Sequence, residues 1–168
     1  SYIVRVLVTK TGVYGGRVEE RVHPLLKLCE TFITDSSGVT PIGTTEVQKV
    51  SGIGIDATVP LPLNFEGFVE YAQLLNHGSG YGAGLSWGFD ALVANASFLA
   101  EYRVLDKGFV PGYYGPSYNT GPVNLSSAEA TGNVKNGYVV KLNVSALGLA
   151  SLIAEYDKYN DSDSATLN

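Results

Sequence analysis

Eight ionisable side chains fall at positions that alternate with apolar residues: Asp56, Glu66, Glu70, Asp90, Glu101, Arg103, Lys141 and Glu155. On an extended chain residues two apart share a face, so Glu101 and Arg103 point the same way. An acid beside a base could move protons, but an ion pair on a wall is the simpler reading. Nucleophile and phosphate chemistry have less support. The sequence contains no G-x-S-x-G elbow, P-loop, H-E-x-x-H pair or paired-cysteine motif. Its glycine-rich stretches, GVYGG at 12–16 and GSGYGAG at 78–84, lack the helix start that a phosphate cradle needs. His23 and His77 stand far apart, and the single cysteine, Cys29, reads as a buried packing residue. Asp157, Asp161 and Asp163 offer oxygens to calcium, but without EF-hand spacing they read as a solvated acidic loop. The residues point to no catalysis, no cofactor and no metal.

Composition narrows the class. The 168 residues suffice for one core rather than two. Charged residues make up 16%, against roughly 25% in ordinary soluble domains. A net charge of −5 leaves no basic footprint for nucleic acid. No apolar run approaches the roughly 18 to 20 residues of a membrane helix. A chain that begins Ser-Tyr-Ile and has no Met reads as processed from a longer precursor.

The elements that position these residues have a period of two. Odd positions of Gly52–Leu61 are Ile53, Ile55, Ala57, Val59 and Leu61, while the even ones include Gly52, Gly54 and Asp56. The same alternation runs through Asn64–Asn76, Tyr81–Ala91, Ala96–Lys107, Asn136–Leu147 and Leu149–Asn160. One face of each segment is apolar and uncharged through its centre, as in a strand with two unlike sides. The segments are long, roughly 10 to 13 residues against a usual 5 to 6. Tilted strands of about 9 to 11 residues are what a bilayer crossing requires.

Turns and aromatic residues follow the same plan. Short connections fall at Pro60–Asn64, Leu92–Asn95 and Leu147–Leu149. The opposite ends carry Asn76–Gly80, the long Gly/Pro/Tyr stretch Gly108–Lys135 and the acidic tail from Asn160. Glu-Tyr recurs at Glu70–Tyr71, Glu101–Tyr102 and Glu155–Tyr156, each late in a strand. Tyr71, Tyr81, Tyr102, Tyr138 and Tyr156 then form a belt at headgroup depth, and Trp87 joins them as an interfacial aromatic on the apolar face. Residues 44–168 are thus expected to be a transmembrane β-meander with a long external loop at about 108–135. Residues 1–43 are read as one strand, Tyr2–Lys10, followed by a long loop or small insertion. That insertion has room for a short helix around Val22–Glu30 or a hairpin at Thr31–Thr34.

The stretches GIGIDATVPLPLNFEGFVEYAQL, YGAGLSWGFDALVANASFLAEYRVLDKGFVPGYY and GYVVKLNVSALGLASLIAEYDKYNDSD resemble a bacterial outer-membrane β-barrel of the porin type. They cover about the last two-thirds of the chain, and their style is similar to the large porins anchored by S-layer-homology domains. The resemblance implies an all-β, antiparallel up-and-down meander, a transmembrane barrel or part of one, in the bacterial outer membrane. Its implied partners are outer-membrane lipid and further strands of the same barrel or neighbouring subunits, and a homo-oligomer is compatible with it. Two features depart from such barrels. The chain ends Ala-Thr-Leu-Asn rather than on an aromatic residue. Counting turns yields about seven strands where single-chain barrels have an even number. An excerpt of a larger barrel, or a further strand within Val13–Asp35, would account for the count.

The implied function is passive diffusion of ions or small hydrophilic solutes, together with a structural role in the envelope. The eight alternating charges become the lumen wall, and six of them are acids, which predicts a mild cation preference. With only eight strands the lumen would be filled by side chains, leaving anchoring or adhesion through Gly108–Lys135. A secreted β-sandwich surface or filament subunit, structural and non-enzymatic, shows the same alternation. Sequons at Asn95, Asn124, Asn143 and Asn160 suit that alternative. The small polar face, with Gly82, Gly84, Ser86 and Gly88, suits a lumen wall instead.

Overall fold

The computed structural model describes residues 2–9, 12–41, 43–114, 118, 123–146, 149–160 and 162–167, the last six by backbone alone. Among these residues ten strands occur in chain order: β1 Tyr2–Val8, β2 Val13–His23, β3 Leu26–Asp35, β4 Ser51–Pro60, β5 Phe65–Leu74, β6 Gly78–Ala91, β7 Ala94–Leu105, β8 Lys135–Ala146, β9 Ala150–Tyr159 and β10 Ser162–Leu167. Each pairs antiparallel with its sequence neighbours, so spatial order equals chain order. The all-β meander read from the alternation is the fold. Among the described residues β1 and β10 do not pair, so the sheet is open rather than a closed barrel. Among the described residues it is also single, with no second sheet facing it.

The expected loop or small insertion in the first 43 residues is instead a hairpin of two long strands, β2 and β3, turning at Pro24–Leu25. Two acids hid its alternation. Glu20 and Glu30 fall on the otherwise apolar face, while Arg17, Glu19 and Arg21 occupy the other. The expected connection at Asn76–Gly80 is tighter than it reads. Asn76 takes a left-handed φ of 65° and the His77 N–H donates to the Leu74 carbonyl, so β6 starts already at Gly78. At the other end β6 and β7 meet through Leu92 and Val93 alone. Long connections, 36–50 and 106–134, both lie at the end opposite the short turns.

Register joins the apolar positions into one continuous surface. Val69 faces Ala83, Leu85 faces Ala100, Ala100 faces Val140 and Val140 faces Tyr156. This apolar surface is the exposed one. Val69 is 55% exposed, Ile55 52% and Leu85 44%, whereas on the polar face Glu101 is 4% exposed and Val139 is fully buried. The chain exposes 10641 Å², against about 8,000 Å² for a compact monomer of 168 residues by the usual mass scaling. The excess follows from a single layer with a bare apolar side.

The core lies on the polar side, at the long-connection end. The described residues of connection 106–134, with its short helix α1 Leu125–Thr131, fold back across the sheet instead of standing clear of it. Tyr113, Tyr118 and Leu125 pack against Val13, Val50 and Leu74, with Ile33, Phe109 and Tyr114 around them. Asn124 caps α1 by accepting from the Ser127 N–H.

Candidate functional site

A band of charge crosses the polar face. Asp56 on β4 lies directly opposite Glu70 on β5, Glu70 opposite Gly82 on β6, and Gly82 opposite Arg103 on β7. Arg17 reaches over β3 from β2, donating through Nη1 to Asp56 Oδ2 at 2.8 Å and through Nη2 to Oδ1 at 3.1 Å. Its Nη1 also donates to Thr31 Oγ1 at 2.9 Å, and its Nε to Glu19 Oε1 at 3.3 Å. This two-pronged geometry suits a planar guanidinium and orients the carboxylate. Cys29, opposite Asp56, is the buried packing residue read from the sequence.

Two of the Glu-Tyr repeats meet here. Glu101 Oε2 accepts from Arg103 at 2.6 Å, while its buried Oε1 has no hydrogen-bond partner and lies over Gly82. A Cβ at position 82 would collide with that oxygen and stand 3.4 Å from Glu70 Cγ. Glycine at 82 therefore lets the two carboxyl groups approach across β6. Lys141 and Glu155, facing each other on β8 and β9, pair at 2.6 Å.

Of the eight expected wall residues, Asp56, Glu70, Glu101 and Arg103 come together in this band. Lys141 and Glu155 form a separate pair, and Glu66 and Asp90 lie on the same face nearer the short turns. Arg17 escapes sequence reading because Glu20 and Glu30 break the alternation of β2 and β3. Its spacing of two from Glu19 and four from Arg21 was the available signal. Of the three suggested calcium ligands, Asp161 lies outside the described residues and the Asp163 side chain is not described. No cluster of metal-ligating side chains occurs among the described residues.

The folded-back connection narrows the space over this band. Phe109 rests on the glycines of β6, for a Cβ at Gly78 would meet the Phe109 backbone nitrogen at 2.6 Å and one at Gly80 its ring at 2.7 Å. The Tyr114 hydroxyl donates to the Val50 carbonyl, and the Tyr118 hydroxyl to Asp35 Oδ2. Gln48 clasps the two long connections, donating to the Tyr113 hydroxyl and accepting from the Leu125 N–H at 2.9 Å. His77 Nδ1 lies 2.8 Å from Glu129 Oε1. Burial raises all three phenols above their ordinary pKa, and for Tyr118 the Asp35 carboxylate adds to the rise. On one side of the connection a cavity of about 450 Å³ touches Arg17, Asp56, Glu70 and Tyr114. On the other, a cavity of about 610 Å³ touches Arg103, Lys107, Asp157 and Tyr159.

On the opposite, apolar face the five tyrosines form a slanted row. Tyr71 faces Tyr81, and Tyr102 faces Tyr138 with ring centroids 5.1 Å apart. Elsewhere the row steps two residues toward the short turns, from Val104 to Tyr102 and from Lys158 to Tyr156. Continued backwards to Tyr14, it steps the same way between Ile53 and Tyr71 and between Tyr14 and Phe32, while Phe32 faces Ile53 directly. A drop of about 1.1 residues per strand, at about 3.3 Å per residue and 4.8 Å between strands, slopes by roughly 40°. Trp87 is not in this row. It lies toward the short turns, stacked on Phe89 and near Phe65, with its Nε1–H donating to the Leu63 carbonyl at 3.0 Å.

Comparison with protein-family models, curated proteins and solved structures found no match.

Proposed function

We propose that this chain forms wall of an outer-membrane β-barrel of the porin type, passing ions and small hydrophilic solutes with a preference for cations. The observation that carries the reading is the inverted burial of the sheet. From β4 to β9 its apolar face is uncharged and bare, and its charged face is the one covered and ion-paired, while on β2 and β3 the bare face also carries Glu20 and Glu30. Water tolerates bare apolar patches of a few hundred Å² on a monomer, and a whole sheet face exceeds that. Hydrocarbon removes the difficulty. The roughly 40° slope of the tyrosine row agrees with strands tilted 35–45° in a bilayer, the row itself lying level at the headgroups. In this reading the short turns and the long connections mark opposite sides of the membrane.

Selectivity follows from which charges are neutralised. Asp56, Glu101 and Glu155 have Arg17, Arg103 and Lys141 as partners. Glu70 and Asp90 have no salt-bridge partner among the described residues and supply negative charge, Glu66 shares its corner of the face with Arg21 and Lys27, and Glu70 stands where connection 106–134 constricts the lumen. The free edges of β1 and β10 require closure on each other, on further strands or on a neighbouring subunit.

The experiment is fractionation followed by conductance. Retention with outer membranes through carbonate extraction, heat-modifiable migration and a cation-selective reversal potential in a KCl gradient would support the reading. Release into the soluble fraction would overturn it and leave the apolar face to a protein neighbour in a secreted assembly.

A further inference from the structure

The two ends of the apolar face differ. Past the tyrosine row, toward the long connections, polar residues begin at once with Gln73, Ser79, Asn136 and Lys158, and on β7 only Val104 intervenes. Toward the short turns no such boundary occurs. From β4 to β9 the apolar face carries no charged residue between the row and the strand ends, and the turns continue it. Their tips are bare leucines: Leu63 is 83% exposed, Leu149 86% and Leu92 fully exposed, with Val93 also open.

These are costly residues for water-facing turns. Two-residue hairpins ordinarily carry Asn, Asp or Gly, yet β6 and β7 are joined by Leu92 and Val93. Leu63 holds a left-handed φ of 62°, a conformation that favours glycine or asparagine. Both the sequence preference and the backbone preference of a solvated turn are overridden in favour of apolar side chains.

The depth of the tips supplies the reason. Leu63, Leu92, Val93 and Leu149 are eight, eleven, nine and seven residues from the tyrosines Tyr71, Tyr81, Tyr102 and Tyr156 on their own strands. At about 3.3 Å per residue and a 40° tilt, they lie roughly 18–28 Å beyond the row. An outer-membrane apolar band is about 25 Å tall. We infer that the leucine-tipped short turns are inserted in lipid, lodged at the far boundary of the hydrocarbon, and serve as a second membrane anchor opposite the tyrosine row. The occupant of this rim is lipid acyl chain, because the rim is continuous with the uncharged face and ends where the hydrocarbon does. This inference rests on the membrane reading above.

The test places a single environment-sensitive nitrobenzoxadiazole label on a Cys29→Ser background in phosphatidylcholine vesicles. Labels at Leu63→Cys, Leu92→Cys and Leu149→Cys report the rim, Leu85→Cys the middle of the face, and Lys107→Cys the water side. The expected result is blue-shifted emission at the rim, quenching by doxyl-labelled lipid and several-fold lower iodide quenching than at Lys107→Cys. Rim labels as accessible to iodide as Lys107→Cys, with Leu85→Cys still in lipid, would overturn the rim and leave the membrane reading intact. Water exposure at Leu85→Cys as well would overturn both. Leu63→Asn and Leu92→Asn fit the turn geometry and keep the fold testable. Together they are expected to lower the vesicle-bound fraction several-fold, and unchanged binding would count against the rim.

Discussion

Placing an arginine on the apolar face tests what that face touches, and the depth of the site sets the size of the effect. Leu85 is four residues below Tyr81 on β6, and Val140 two below Tyr138 on β8. With the strand tilt of roughly 40°, these are about 10 Å and about 5 Å below the row. An arginine costs about 2–4 kcal/mol at the bilayer midplane and falls to about 0–1 near the interfaces. Leu85→Arg, near mid-depth, is therefore expected to cost about 2–4 kcal/mol, and Val140→Arg about half as much. Lys141→Ser, on the polar face, removes one partner of a half-exposed pair and is expected to change stability by less than about 1 kcal/mol. The assay is urea-dependent folding into vesicles, followed by the fluorescence of Trp87, the single tryptophan. A soluble fold with this face against water would tolerate both arginines equally. Equal effects at Leu85 and Val140, or none at either, would refute the tilted-strand reasoning.

Three further outcomes follow. Glu70→Gln removes an acid that forms no salt bridge among the described residues and is expected to lower cation selectivity; an unchanged reversal potential would move the filter elsewhere. Gly80→Val drives a side chain into the Phe109 ring and is expected to unseat connection 106–134, read as faster proteolysis within it and a larger conductance. Tyr113, Tyr114 and Tyr118 hold their protons above the ordinary phenol value, near pH 10. The stability that their docking contributes is complete below about pH 10 and is lost as the pH climbs further, because unfolded phenols ionise first. Absorbance at 295 nm should show late-titrating tyrosines, with Tyr118→Phe removing one of them; all tyrosines titrating together near 10 would contradict the docked loop.

Alternation by itself determined the strands from β4 to β9, because the pleat sends successive side chains to opposite faces. It also grouped Ile55, Val69, Leu85, Ala100, Val140 and Tyr156 before any register was known, since a one-residue slip would mix the faces. Where that pattern is broken the sequence is silent. Glu20 and Glu30 on the apolar side concealed β2 and β3, and with them Arg17. Only the tertiary structure brings Arg17 to Asp56, two strands and thirty-nine residues away, and Glu101 to Glu70 across Gly82. Nothing local marks Gly78 and Gly80 as the seat of Phe109, or turns Tyr114 and Tyr118 inward to Val50 and Asp35. Those contacts depend on where distant segments of chain arrive, whereas the two-sidedness of a strand is decided by each residue and its immediate neighbours.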